Sequence, residues 1–236
     1  MDKGIFVALS GAVLQERRME ALTDNLANVN TSGFKGSRPL FEDSMTDAYG
    51  VRTFGKLDDV VTDVSQGPLQ RTERKLDVAI KGEGFFAVET PFGARYTRDG
   101  SFTLDRDGNL VTRDGGAVLG ETGRIKLPGT DVKIDASGGI NVNGANVGRL
   151  KLVDFTNPGA LRREGSLFAA PKGAGEVPAN PNTQVEQGYI EASNVNAVRA
   201  MTTMIEAMRS YETHTKLIQS IDDMTRKAVE EVGRTA

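Results

Sequence analysis

The last 40 residues of this 236-residue chain constrain its fold most, because they carry one unbroken helical pattern that nothing nearby in sequence can cover. Val198, Met201, Ile205, Met208, Tyr211, Thr215, Ile218, Ile221 and Met224 follow steps of three and four, which places them along one side of an α-helix. Asn196 is a suitable N-cap, and no proline lies beyond it. A helix from Asn196 to about Val232 is on the order of 55 Å long. A small β domain cannot shield that length, so the stripe requires another helix.

The other end of the chain supplies one. Ile5, Leu9, Ala12, Met19, Leu22, Leu26 and Val29 recur at helical spacing, with Gln15 the one interruption, while Glu16, Arg17, Arg18, Glu20, Asp24 and Asn28 take the opposite side. Asn25, Asn28 and Asn30 compete for backbone hydrogen bonds, and Gly33 can take the positive φ that ends a helix tail. The helix is therefore expected to stop there, with Phe34 exposed or docked. The two ends should meet as a coiled-coil-like terminal domain. Two helices cover only part of each other's stripes, so either the pair stands alone in a monomer or the remainder, including Met201, Met204 and Met208, meets neighbouring subunits.

Between the ends the periodicity changes. Gly36 to Arg74 reads as an extended connector with a short alternation around Val60, Val61 and Val64. From Leu76 onward the pattern is that of short strands: Leu76, Val78 and Ile80 alternate with Asp77, Ala79 and Lys81, and Phe85, Phe86 and Val88 come next. Turns are expected at Asp99-Gly100 and Asp107-Gly108, flanked by Tyr96 to Arg98, Ser101 to Leu104 and Asn109 to Thr112. Further strands are expected at Val118-Leu119, Arg124 to Leu127, Val132 to Ile134, Ile140 to Val142 and Leu150 to Phe155. Pro171 to Asn182 reads as a loop, and Gln184 to Glu191 as an extended return. The fold class is α+β: an N-terminal helix at 1–35, a connector at 36–75, an irregular β-rich domain at 76–191 and a C-terminal helix at 192–236.

Several chemistries are hard to place. The chain has no Cys, so it has neither disulfides nor thiolate ligands. Its single histidine, His214, lies on the C-terminal helix with no accompanying triad, and no carboxylate pair is marked as a hydrolytic dyad. Gly82-Glu83-Gly84 lacks the Lys-Ser/Thr of a phosphate loop, and Asp105, Asp107, Asn109 and Asp114 do not have EF-hand spacing. No catalytic, cofactor-binding or metal-binding residue is assigned. A formal charge of −3, with 29 basic and 32 acidic residues interspersed, offers no basic face to nucleic acid. No apolar run approaches the roughly 20 residues that span a bilayer, so membrane insertion is not expected. Gln15 to Arg18 also cut short the apolar core that a cleaved signal peptide would need.

Asn25-Leu26-Ala27-Asn28 followed by Thr31-Ser32-Gly33-Phe34-Lys35, at the end of an N-terminal amphipathic helix, resembles the signature of the bacterial flagellar rod and hook proteins. LDVAIKGEGFF (Leu76 to Phe86), YTRDGSF (Tyr96 to Phe102), VGRLKLVDF (Val147 to Phe155) and QGYIEASNV (Gln187 to Val195) extend the resemblance over nearly the whole chain. It implies a structural subunit of the basal-body rod, self-assembling into a helical tube that transmits torque. The short connector, Val147 to Phe155 and Ile218 to Asp223 are most similar to the proximal rod members; distal members carry a longer connector.

Other rod subunits, copies of the same chain and the flagellar type III export apparatus are the implied partners. The implied location is the periplasmic rod of the basal body, reached without cleavage of a signal peptide. Subunit contacts are expected at Leu9, Leu22, Asn25, Leu26, Asn28, Thr31, Gly33, Phe34, Val198, Met201, Ile205, Met208, Ile218 and Ile221. A distal rod protein, or an extracellular β-rich binding or adhesion module with helical ends, is the alternative, and a carboxylate-dependent hydrolase a more distant one.

Overall fold

Helix α1 (Asp2–Ala27) and helix α2 (Ala197–Thr235) bracket a long run of short strands, as the change of periodicity predicts. The computed structural model describes residues 2–42, 45–46, 51–52, 56–129, 131–171 and 173–235. The chain divides into two units: Met1–Ala27, Ser37–Val61 and Asn196–Ala236 form a helical unit, and Asn28–Gly36 with Thr62–Val195 form a β unit.

In the helical unit α1 and α2 run antiparallel. Gly4 faces Ile221, and seven residues further along, Gly11 faces the His214 ring, so one helix advances as the other recedes. Alanines fill the seam: Ala8 and Ala12 from α1, Ala200 and Ala207 from α2, all 9% exposed or less. Small side chains let the backbones approach, and Gly11 leaves the space that the imidazole of His214 occupies. Gln15, expected to interrupt the seam, lies within it, its Oε1 buried and without a hydrogen-bond partner among the described residues. Asn196 caps α2 as anticipated, its Oδ1 accepting the Arg199 N–H at 3.0 Å. Strand Ser37–Glu42 pairs with Lys56–Thr62, giving the connector a β-ribbon.

The β unit is built around strand Phe85–Thr90. It pairs with Gly93–Thr97 on one side, and on the other with Ala117–Gly120 along one part of its length and Leu152–Phe155 along another. Its side chains alternate between two cores. Phe86 joins Val78, Ile80, Phe102, Leu110 and Ile140 in one, and Phe85 joins Tyr96, Val153, Phe155 and Phe168 in the other. Edge-to-face ring pairs, Phe86–Phe102 at 5.1 Å and Tyr96–Phe155 at 4.8 Å between centroids, tie each core together. A three-stranded meander, Val132–Ile134, Gly139–Val142 and Ala145–Arg149, contributes its apolar residues to the first core.

Some expectations need correction, among them the strand expected at Arg124 to Leu127, which is a short strand Gly123–Arg124 followed by an isolated bridge from Lys126 to Asn109. The Asp99-Gly100 turn does not join paired strands: Gly93–Thr97 instead pairs with Phe85–Thr90 and with Leu167–Ala169. Gly100 is required for a different reason, since its backbone lies against Val78, whose N–H donates to Gly100 O at 3.0 Å. The loop expected at Pro171 to Asn182 contains strand Glu176–Pro178, paired with Leu152–Phe155. Proline is tolerated there because an edge strand can spare its donor. By contrast, Asp107-Gly108 does set a hairpin, with Leu110 opposite Leu104 and Gly108 at φ +80°.

A Cβ on Gly100 would overlap Val78 O, a backbone atom that cannot swing aside. Gly100→Ala is therefore expected to destabilise the β unit by more than about 3 kcal/mol. Gly108→Val violates the left-handed φ and brings a Cβ to 3.3 Å from Leu127 O, a milder conflict that should cost about 1–2 kcal/mol. Thermal melting of the full-length variants gives both values.

Candidate functional site

Asn28 to Gly36, the stretch that follows α1, folds as part of the β unit. Thr31 N–H donates to Asn28 O at 3.1 Å and its hydroxyl to Asn28 Oδ1 at 3.2 Å, which closes the turn that Asn and Thr favour. Gly33 has φ +67°, and a Cβ there would run into the Asp99 backbone nitrogen, so no other residue fits without displacing backbone. Phe34 is docked, 6% exposed, with the Arg163 guanidinium 4.5 Å above its ring.

Lys35 comes next and is fully buried. Its ammonium donates to Ser65 O at 2.6 Å and to Glu191 Oε1 at 2.5 Å. The same Oε1 accepts the Gly67 N–H at 2.8 Å, and Oε2 accepts from Arg98 Nη1 at 3.2 Å. Arg98 also donates from Nη2 to Gly82 O at 2.8 Å and lies over the Phe85 ring at 5.3 Å. The backbone oxygen of Glu191 takes the Gly33 N–H at 2.7 Å. Burial pushes the pKa of both Lys35 and Arg98 down, and the Glu191 carboxylate opposes that shift in each case.

A side-chain amide completes the arrangement. Asn194 Oδ1 accepts the Gly36 N–H at 2.8 Å, and its Nδ2 donates to Asp63 O at 2.7 Å and to Ser65 O at 3.1 Å. In the helical unit, Asn25 Nδ2 donates to Ser37 O and Asn25 Oδ1 accepts the Ser37 N–H, both at 2.8 Å. That reciprocal pair is what a neighbouring strand would make.

On the helices, Leu9, Val198, Met201, Ile205 and Met208 are 48%, 74%, 50%, 53% and 50% exposed, whereas Leu22, Leu26, Ile218 and Ile221 are half-buried. Val198, Met201, Ile205 and Met208 thus form a continuous apolar stripe beside the alanine seam. On α1, Phe6 and Val13 extend the exposed position of Leu9, a 3-4 spacing that the sequence reading passed over. That reading also left out Arg98, Glu191 and Asn194. Their sequence signal is their place in the strings Tyr96 to Phe102 and Gln187 to Val195, where nothing marks the side chains as buried. Among the described residues, no group of three or more His, Cys, Asp or Glu could hold a metal ion, and no helix is long and apolar enough to cross a membrane.

Three family models match the chain: Flagella basal body rod protein over residues 5–35, Flagellar hook protein FlgE/F/G D1 domain over 79–142, and Flagellar basal body rod FlgEFG protein C-terminal over 186–231. Flagellar basal-body rod protein FlgF of Rhizobium meliloti is 34% identical over 239 residues, covering 99% of both chains. FlgF of Escherichia coli is 36% identical over 246 residues, 97% of both chains. Flagellar basal-body rod protein FlgG of Buchnera aphidicola subsp. Schizaphis graminum is 33% identical over 261 residues, 96% of this chain and 98% of the relative.

Asn194→Asp would turn a donor that faces backbone oxygens into a carboxylate, at an expected cost of about 2–4 kcal/mol. Asn194→Ala should cost about 1–3 kcal/mol. In both variants amide hydrogen exchange at Gly36 should accelerate at least about tenfold relative to wild type, with the Phe85–Thr90 amides unchanged.

Proposed function

The chain belongs to the flagellar basal-body rod protein family and is a structural subunit of that rod, assembled in the basal body with other rod subunits; from that premise we propose that it occupies the proximal rod. Length supports this position. The match to the Buchnera FlgG runs over 261 positions, 25 more than this chain has residues, while the match to the Rhizobium FlgF runs over 239. We take these extra positions to fall in the connector, which the resemblance makes longer in distal members.

The role is mechanical. Non-identical faces of successive subunits meet heterologously, which generates a helical tube rather than a closed dimer. The subunit contacts two kinds of neighbour, copies of itself and other rod proteins, and it reaches the periplasm through the flagellar type III export apparatus. Torque transmission requires rigidity and no turnover, so the protein acts without catalysis. Leu22, Leu26, Ile218 and Ile221 contribute helix contacts, Leu9 is left with the exposed apolar residues for other subunits, and Asn25, Asn28, Thr31, Gly33 and Phe34 hold the adjoining segment in shape.

The observation that carries this reading is the exposed stripe Val198, Met201, Ile205 and Met208. The seam of α1 and α2 is already filled by alanines, so these larger side chains are left for other subunits. A contiguous exposed apolar surface of this kind marks a contact site, and methionine adapts to neighbours that differ from copy to copy.

Ile205→Asp tests it. Because the side chain is half-exposed in the single chain, helicity and the thermal midpoint should stay within about 0.5 kcal/mol of wild type. In a strain lacking the gene, the variant should be exported yet leave basal bodies without a completed rod, and cells non-motile. Normal rods and swimming from this variant would overturn the assignment of the stripe to subunit contacts.

A further inference from the structure

Two cations converge on one carboxylate in a place that water does not reach. Lys35 and Glu191 are fully buried and Arg98 is 3% exposed, so the triad holds an excess of positive charge in the protein interior. Arg98 Nε is buried there without a hydrogen-bond partner among the described residues. Neither feature suits a cluster selected for stability. Desolvating three charges is expensive, an orphaned donor adds to the cost, and well-packed apolar side chains generally serve a buried ion triad's volume as well or better.

The triad's position suggests what it does instead. Gly33 and Lys35 belong to the segment that arrives from α1, Ser65 and Gly67 to the segment that arrives from the β-ribbon, and Glu191 to the segment that continues through Asn194 into α2. The Glu191 carboxylate is bound by an atom of each of the other two segments, and Lys35 bridges from Glu191 to Ser65. Packing among apolar side chains would allow these segments to slide. An ion triad with directed hydrogen bonds permits one register.

We propose that Lys35, Arg98 and Glu191 are positioning residues that hold the three departing segments of the β unit in one register, at a net cost in stability. Burial as the leading cause of the lowered pKa of both cations agrees with that cost. The proposal rests on the rod reading only for its consequence in assembly; the register itself belongs to the single chain.

The test uses the full-length triple variant Lys35→Met, Arg98→Met, Glu191→Gln, which removes every charge while Gln keeps an acceptor for Gly67. Its unfolding midpoint should equal or exceed that of wild type. Amide exchange at Gly33, Gly36, Asp63 and Asn194 should be at least about tenfold faster, with Ala87 and Val88 in the central strand unchanged. The variant should fail to build rods. A lowered midpoint or a variant that does not fold, unchanged exchange at the four amides, or rods of normal number and length would each overturn the proposal.

Glu191→Gln alone strands two buried cations and should lower the midpoint markedly; a wild-type midpoint would also overturn it. If the wild-type gene fails to restore rods to the deletion strain, the rod reading fails, while melting and exchange still decide the triad.

Discussion

A carboxylate with no access to water, bound by two cations and a backbone amide, is the interaction on which the β unit's peripheral segments depend. Glu191 draws on Lys35 from the first segment matched by a rod-family model, on Arg98 from the second, and itself belongs to the third. Segments far apart in sequence are thereby reduced to one local problem, the solvation of one charge. Breaking such a pair by removing one partner typically costs about 3–5 kcal/mol, because the survivor is left unpaired in the interior. Glu191 is therefore intolerant of single changes even though its net contribution to stability is small or unfavourable.

In each unit, amide side chains repeatedly do what strands do elsewhere. Asn25 pairs reciprocally with the Ser37 backbone, Asn194 serves Gly36, Asp63 and Ser65, and Gln187 accepts from Ile134 N–H while donating to Val132 O. A side-chain amide carries one acceptor and two donors at nearly the spacing of a peptide group, so it satisfies a strand edge without extending the sheet. For a chain that must associate through chosen surfaces, closing the Val132–Ile134 edge in this way removes a route to indiscriminate pairing.

The helical unit follows the opposite logic. Alanines and Gly11 bring α1 and α2 close together, which uses up the narrow faces and leaves the bulkier apolar residues outside. Ridge spacing explains why: positions 200 and 207 of α2 lie on one row and 198, 201, 205 and 208 on the neighbouring one, so the helix carries two apolar rows and α1 covers the alanine row. At roughly 25 cal/mol per Å² of apolar surface, covering the second row is a substantial reserve for association.

Periodicity alone determined that the chain has a helix at each end and short strands between, because spacings of 3.6 and 2 residues are incompatible and each was sustained. Local chemistry likewise determined the Asn196 cap and the Asp107-Gly108 hairpin, whose hydrogen bonds close within a few residues. Only the tertiary structure decided which strands pair across the Asp99-Gly100 segment, since Gly100 is dictated by Val78, 22 positions earlier. It also decided which apolar row of α2 meets α1, because two adjacent rows read alike until the small residues of the partner select one. The triad was out of reach for the same reason. Lys35, Arg98 and Glu191 look like ordinary surface charges in sequence, and their burial depends on segments up to 156 residues apart arriving at a single place.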